Sequence, residues 1–143
     1  MSSQTALNTA IYTRLAGTAG TALTTLLSGG TATPCVFYQE APDGITQPYV
    51  TWSFPSEIDM NIIPHRMKDI VLRVQGYCTS PALAGTIDAQ IDTLLNESEL
   101  SMGTPWTNIW LRRENGFQLV SPTEAGIRYY TSGADYRVEL TNG

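Results

Sequence analysis

The 143-residue sequence has little of the side chains on which most catalytic and metal sites depend. It contains a single histidine, His65, so neither a multi-histidine metal site nor a Glu-x-x-His pair can be assembled. Any Ser-His or Cys-His nucleophile would have to use that one residue. No Gly-Lys-Ser/Thr sequence follows the glycines at positions 17 and 20, so a phosphate-binding loop is also absent. These absences predict a protein without enzymatic activity, bound metal or cofactor.

Charge is scarce as well. Charged residues make up 15% of the chain, against roughly 25% in typical soluble proteins, which predicts a surface suited to contact with other proteins. The net charge of −5 argues against a general nucleic-acid binder, which would present a basic face to the phosphates. Lys68 is the only lysine among eight basic residues, and arginine is the basic residue enriched at protein interfaces.

Two cysteines, Cys35 and Cys78, are present, and no basic patch with an apolar run opens the chain. Without a secretory signal the two thiols are expected to be free, in a protein made in a reducing cytoplasm. No apolar run approaches the roughly 18 residues of a membrane-spanning helix. The length fits one domain spanning residues 1–143.

Apolar spacing predicts three helices. Residues 5–15 and 18–27 carry leucine, isoleucine and alanine at helical intervals, with Gly17 between the two segments. The third helix begins at Ser80-Pro81, a cap followed by proline at the first helical position. Its apolar stripe excludes Asp88 and Asp92, which are four residues apart and are expected to be solvated rather than to form a metal or acid–base site.

Alternating apolar residues predict the strands. A short edge strand at 35–39 precedes longer strands at 49–57 and 67–77. Strands at 106–113 and 117–120 are expected to form a hairpin about Asn115-Gly116, and the last strand, 127–140, is expected to bulge at Ser132-Gly133. The predicted fold is α+β, with helices packed on one face of a largely antiparallel sheet.

The connection at 58–66 is longer than a tight hairpin needs, which predicts a projecting loop. Its large apolar side chains are expected either to dock on a partner or to fold back over the sheet edge. His65 is read as a solvent-exposed loop residue or an interface contact, with Arg66 supplying charge pairing at the rim. The candidate interface residues are Ile58, Met60, Ile62, Ile63, His65, Arg66, Arg112 and Arg113.

Arg112 and Arg113 are adjacent and could suggest a phosphate clamp. On an alternating strand they point to opposite faces, so structural or interfacial ion pairing is expected instead. Trp106 and Trp110 are expected to pack in the core or on the sheet, because no basic residues are interleaved with them as in a base-stacking platform.

One segment resembles a known family. Pro42-Asp43-Gly44 is a turn, and Pro48-Tyr49-Val50-Thr51 then opens a strand behind an N-terminal helix containing Ile11 to Leu15. This order and spacing resembles the tail completion (tail terminator) family of long-tailed bacteriophages. The resemblance carries no catalytic signature.

The resemblance implies an α+β protein that forms a hexameric ring, caps the tail-tube protein, stops its polymerisation and offers the surface to which the filled head attaches. Its implied partners are the tube protein and head–tail connector proteins, with no membrane and no sequence-specific nucleic acid, although DNA would pass through the ring. The implied location is the head-proximal end of the virion tail, after assembly in the host cytoplasm. A head-side neck or minor tail protein is an alternative, and a small ligand-binding domain or enzyme is another.

Overall fold

The computed structural model describes residues 2–61, 66–121 and 128–142. Three α-helices and five strands are present in this part of the chain, together with a 3-10 turn at Thr18–Gly20. In chain order the elements are α1 (Ser3–Ala16), α2 (Thr21–Leu26), β1 (Val36–Tyr38), β2 (Tyr49–Asn61), β3 (Arg66–Cys78), α3 (Pro81–Leu95), β4 (Thr107–Val120) and β5 (Tyr130–Thr141).

The helix boundaries follow from local capping. The Ser2 hydroxyl accepts a hydrogen bond from the Thr5 amide at the start of α1, and Ser80 does the same for Leu83 at the start of α3. The first and third predicted helices are confirmed as α1 and α3. The second predicted helix is a 3-10 turn followed by α2.

The five strands form one sheet in the order β1-β2-β3-β5-β4. Only the short edge strand β1 runs parallel to its neighbour, and every other pair is antiparallel. All three helices pack on one face, where they bury the inward side chains of the central strands, among them Leu72, Val74 and Tyr136. The predicted α+β fold with helices on one face of a largely antiparallel sheet is therefore confirmed. The opposite face, called here the open face, carries no helix in the part of the chain that the structure describes.

The predicted hairpin at Asn115-Gly116 is wrong. β4 continues through this dipeptide, and Asn115 and Gly116 pair with Asp135 and Ala134 of β5. A register shift between Arg113 and Asn115 marks a bulge at this point. The local turn signal is overridden because the whole of β4 gains a ladder of hydrogen bonds along one long partner strand.

The predicted bulge at Ser132-Gly133 is also wrong. β5 keeps an unbroken register with β3 from Tyr130 to Thr141. Gly133 serves a different purpose, since a Cβ atom there would lie 2.2 Å from the Val74 carbonyl oxygen of β3. The glycine allows two backbones to approach closely within a regular ladder.

The predicted boundaries of the 58–66 connection are wrong too. Ile58 pairs with Asp69, Met60 with Met67 and Asn61 with Arg66, so these residues belong to β2 and β3. β3 is itself paired with β5 as far as Met67. The two strands are longer than predicted because their backbones continue to pair beyond the residues that show an apolar alternation. The remaining connection, residues 62–65, lies outside the described residues.

Candidate assembly surfaces

Arg112 and Arg113 lie on opposite faces of β4, as predicted. Arg113 faces the helices and binds Asp88 of α3 through two hydrogen bonds, Nη2 to Oδ2 at 3.0 Å and Nη1 to Oδ1 at 3.3 Å. Asp92, one turn later, lies 3.5 Å from Nη1. The prediction that both aspartates are solvated is wrong, because the arginine brings their carboxylates into the helix–sheet interface.

This cluster fixes α3 on the outer part of the sheet. The hydrogen bond to Asp88 raises the pKa of Arg113. Beside it, burial raises the pKa of the Tyr136 hydroxyl, which lies 3.5 Å from Asp92. The guanidinium stays charged and the phenol stays neutral, so the cluster is a structural anchor at neutral pH.

The open face carries arginine–carboxylate pairs between neighbouring strands. Arg73 binds Asp135, with Nε 2.8 Å from Oδ1. Arg137 binds Asp69, with Nη1 3.0 Å from Oδ2, and its Nε lies 2.7 Å from Glu114. The Asp69 and Asp135 side chains are only 15% and 18% exposed. The open face is thus largely neutralised by its own cross-strand pairs.

Sequence reasoning did not find the buried Asn108. Its Oδ1 accepts a hydrogen bond from the Leu100 amide at 2.9 Å, and its Nδ2 donates to the carbonyls of Trp110 and Glu139 at 3.0 and 3.2 Å. The side chain therefore ties the segment after α3 to the start of β4. An asparagine within the apolar pattern of β4 was the available signal, but two of its partners, Leu100 and Glu139, are 8 and 31 residues away.

The segment at 96–100 covers the outer edge of the first half of β4. The Glu97 amide donates to the Leu111 carbonyl at 3.0 Å, and the Arg113 amide donates to Asn96 Oδ1 at 2.9 Å. Among the described residues no such contact reaches the outer edge of β4 at 115–120. This uncovered stretch is called here the β4 free edge.

On the other side of the sheet, β1 covers the first half of β2. The Val50 amide donates to the Cys35 carbonyl at 2.9 Å, and the Gln39 amide donates to the Trp52 carbonyl at 2.7 Å. The chain then leaves the sheet, since Gln39 has a φ of 66° and the Glu40 amide bonds back to Tyr38. Within the described part of the chain, nothing pairs with the outer edge of β2 at 54–61, called here the β2 free edge.

Both free edges carry exposed apolar side chains. Leu119 and Val120 at the end of β4 are 59% and 56% exposed, and Ile58 of β2 is 58% exposed. A cleft of 140 Å³ lies beside the β4 free edge. It is lined mainly by Pro81, Ala84, Leu119, Val120 and Tyr130. Leu119, Ile58 and Val120 are the most exposed large apolar side chains of the described residues.

The predicted interface residues are not brought together in one place. Ile58, Met60 and Arg66 lie on β2 and β3, whereas Arg112 is separated from them by β5 and Arg113 faces α3. Arg112 stacks on Trp110, with 5.1 Å from its Cζ to the ring centre, and lies 4.0 Å from Glu97. The expectations for Ile62, Ile63 and His65 fall outside the described residues and stay predictions.

Lys68 and the two cysteines have local roles. Lys68 lies 2.7 Å from Glu57 and 3.3 Å from Asp59, and the hydrogen bond to Glu57 raises the pKa of the lysine.

Cys35 and Cys78 are both free thiols, as predicted. Burial raises the pKa of Cys78, whose sulfur lies 3.1 Å from the Ser80 carbonyl oxygen.

Two further observations concern the described ranges 2–61, 66–121 and 128–142. No three His, Cys, Asp or Glu side chains in these ranges converge in an arrangement that could hold a metal ion. No helix there is long and apolar enough to cross a membrane.

Comparison with known proteins reveals similarity only at the level of structure. No protein-family model matches the chain, and no curated protein matches it. A chain in the virion of a native gene transfer agent particle is 21% identical, with a TM-score of 0.64, and the match covers 95% of this chain and 96% of that one. A second solved structure is 16% identical, with a TM-score of 0.54 and 96% of both chains covered. At these identities the likeness establishes a shared fold.

Proposed function

We propose that this chain is a structural protein of a phage-like virion, and that it acts as a tail completion protein. In this role it forms a ring, of six copies, that caps the last ring of tail-tube subunits and stops their polymerisation. The exposed side of the ring then receives the head–tail connector proteins. The protein performs no catalysis in this role, and DNA passes through the ring without sequence recognition.

The observation that carries the proposal is the likeness, along nearly its full length, to a chain of a gene transfer agent virion. The match spans 95% of this chain and 96% of the other. The resemblance of Pro48-Tyr49-Val50-Thr51 and its flanking elements to tail completion proteins supports the same role from the sequence.

The surface is consistent with assembly. Charged residues make up only 15% of the chain, and Arg73 and Arg137 of the open face are paired with carboxylates of neighbouring strands. Strand edges on both sides of the sheet are partly uncovered within the described residues. Heterologous contact between two different edges, repeated around an axis, produces a closed ring.

The proposal is tested by native mass spectrometry and negative-stain imaging of the purified protein, over a range of concentrations and with the tail-tube protein of the same particle. We expect a ring of one defined copy number, formed at high concentration or on the end of the tube. A strict monomer under both conditions would rule out the ring. A ring that binds only connector proteins would indicate a neck protein instead.

A further inference from the structure

We infer that the β4 free edge of one copy pairs with the β2 free edge of the next copy, so that neighbouring subunits share one continuous antiparallel sheet. This inference rests on the proposed ring and specifies its subunit contact. It concerns residues 115–120 of β4 and residues 54–61 of β2.

Each of the two edge strands is covered by another segment of the chain over one half only, and the covered halves lie at opposite ends of the sheet. On β4 the segment at 96–100 bonds to the backbone of Leu111 and Arg113, and on β2 the strand β1 bonds as far as Trp52. Each outer strand therefore has one covered half and one half that is free within the described residues. The free halves lie at opposite ends of the sheet. At one end Val120 pairs with Tyr130, which pairs in turn with Cys78. At the other end Met60 pairs with Met67, which pairs in turn with Thr141.

Strand direction favours the pairing. β2, β3, β5 and β4 follow one another across the sheet, and each adjacent pair is antiparallel. β4 therefore runs opposite to β2, and a second copy in the same orientation presents its β2 antiparallel to β4 of the first. Antiparallel pairing is the more stable of the two strand arrangements.

The two edges also differ in how well they are protected. The β2 free edge contains Pro55, a bulge between Ser53 and Ser56, and the acidic Glu57 and Asp59, features that prevent indiscriminate edge pairing. The β4 free edge, Asn-Gly-Phe-Gln-Leu-Val, has no charge and no proline. An uncharged edge without proline is open to pairing with another strand, and a partner edge with few pairing registers makes the contact specific.

The exposed apolar side chains lie on the same side of the shared sheet. Ile58 pairs with Asp69, and Leu119 pairs with Thr131, which pairs in turn with Tyr77. Asp69 and Tyr77 are both on the open face of β3, since they alternate with the buried Ile70 and Cys78. In the joined sheet Ile58 and Leu119 can therefore contact each other and remove their exposed surface from water.

The pairing also fixes the stagger between neighbouring copies along the strands. Ile58 is level with Glu139 and Leu119 with Thr131, so positions 139 and 131 of β5 set an offset of eight residues. At ~3.3 Å per residue this is about 26 Å along the strands.

Disulfide trapping tests the pairing. The chain carries Ile58→Cys and Leu119→Cys in a Cys35→Ser background, which leaves the buried Cys78 as the remaining native thiol. Mild oxidation at high concentration is expected to give a ladder of dimers, trimers and larger species on a non-reducing gel. The matched control is Ile58→Cys with Ile109→Cys. Ile109 is 50% exposed but lies on the covered half of β4, so this pair is expected to give no ladder.

The outcomes separate this inference from the proposed function. If native mass spectrometry of the unmodified chain detects a ring but no ladder forms, the edge assignment is overturned and the ring stands. A ladder with the control pair, or efficient dimers from Leu119→Cys alone, also overturns the assignment, the latter by showing β4 paired with β4. A specific ladder from a protein that never forms a ring supports the edge pairing and contradicts the ring.

Discussion

Arg113 of β4 and Asp88 of α3 form a bidentate ion pair across the helix–sheet interface, with hydrogen bonds of 3.0 and 3.3 Å. The residue beside it, Arg112, lies on the other face of the same strand and is 54% exposed. Two adjacent arginines therefore have unrelated environments, which provides a matched comparison.

Replacing Arg113 with alanine is expected to destabilise the fold by about 1.5–3 kcal/mol, because Asp88 loses its charged hydrogen-bond donor in a site that is only 17% exposed. Arg112→Ala is the control, with an expected change within about 0.5 kcal/mol. Urea unfolding followed by circular dichroism measures both. Equal effects of the two substitutions would contradict the structural role of the ion pair.

Replacing the buried Asn108 with alanine is expected to cost at least about 2 kcal/mol, since it leaves the Leu100 amide and two carbonyl groups without their partner. Hydrogen exchange at the Leu100 amide should accelerate more than the loss of global stability explains. Asn115→Ala, at an exposed position of the same strand, serves as the control. Unchanged protection at Leu100 would show that the segment after α3 is held in another way.

Two glycine-to-alanine substitutions are expected to have opposite effects. At Gly133 the added Cβ would lie 2.2 Å from the Val74 carbonyl oxygen, so the strands must separate and the protein should lose ~1–3 kcal/mol or more. At Gly85, within α3, nothing lies within 4 Å of the new Cβ, and alanine should stabilise the helix by about 0.5–1 kcal/mol. Thermal unfolding of both variants checks the signs, and a stable Gly133→Ala variant would contradict the close approach of β3 and β5.

Tyr136 predicts a dependence of stability on alkaline pH. Burial raises the pKa of its hydroxyl above the ordinary value of 10.0. As the pH rises, the unfolded chain therefore loses the Tyr136 proton before the folded chain does. The stability that the neutral hydroxyl contributes is complete below pH 10 and is lost as the pH rises from there towards the pKa of the folded state. Tyr136→Phe should show a shallower decline in unfolding free energy above pH 10 than the parent chain.

Tyr12→Phe, at a site that is 45% exposed, is the control for this titration. It should follow the parent chain, so that any difference can be assigned to the buried hydroxyl. Identical alkaline slopes for the parent and Tyr136→Phe would show that the hydroxyl is not held neutral by the fold.

Features that depend on local chemistry could be predicted from the sequence. Ser80-Pro81 fixes the start of α3, and the alternation of Ile70, Leu72 and Val74 fixes the buried face of β3. Both signals act within a few residues, so distant parts of the chain do not alter them. The α+β class follows, because one apolar face on a sheet and one stripe on each helix leave few ways to pack.

Features that depend on distant partners could not be predicted. Asn115-Gly116 is a good turn signal, but pairing with Asp135 and Ala134 of β5 keeps it within a strand. Asp88 lies outside the apolar stripe of its helix, yet Arg113, 25 residues away, draws it into the interface. The covering of the β4 edge by Asn96 and Glu97 depends equally on tertiary placement. The candidate assembly edges therefore emerge only from the three-dimensional arrangement.

The most direct test of the proposed function is the length distribution of tail tubes assembled in vitro from the tube protein of the same particle, with and without this chain. If the chain is a tail completion protein, adding it during polymerisation should stop growth, and imaging should show shorter tubes with a ring at one end only. Tubes of unchanged length without a terminal ring, at concentrations where the chain is folded, would contradict the account.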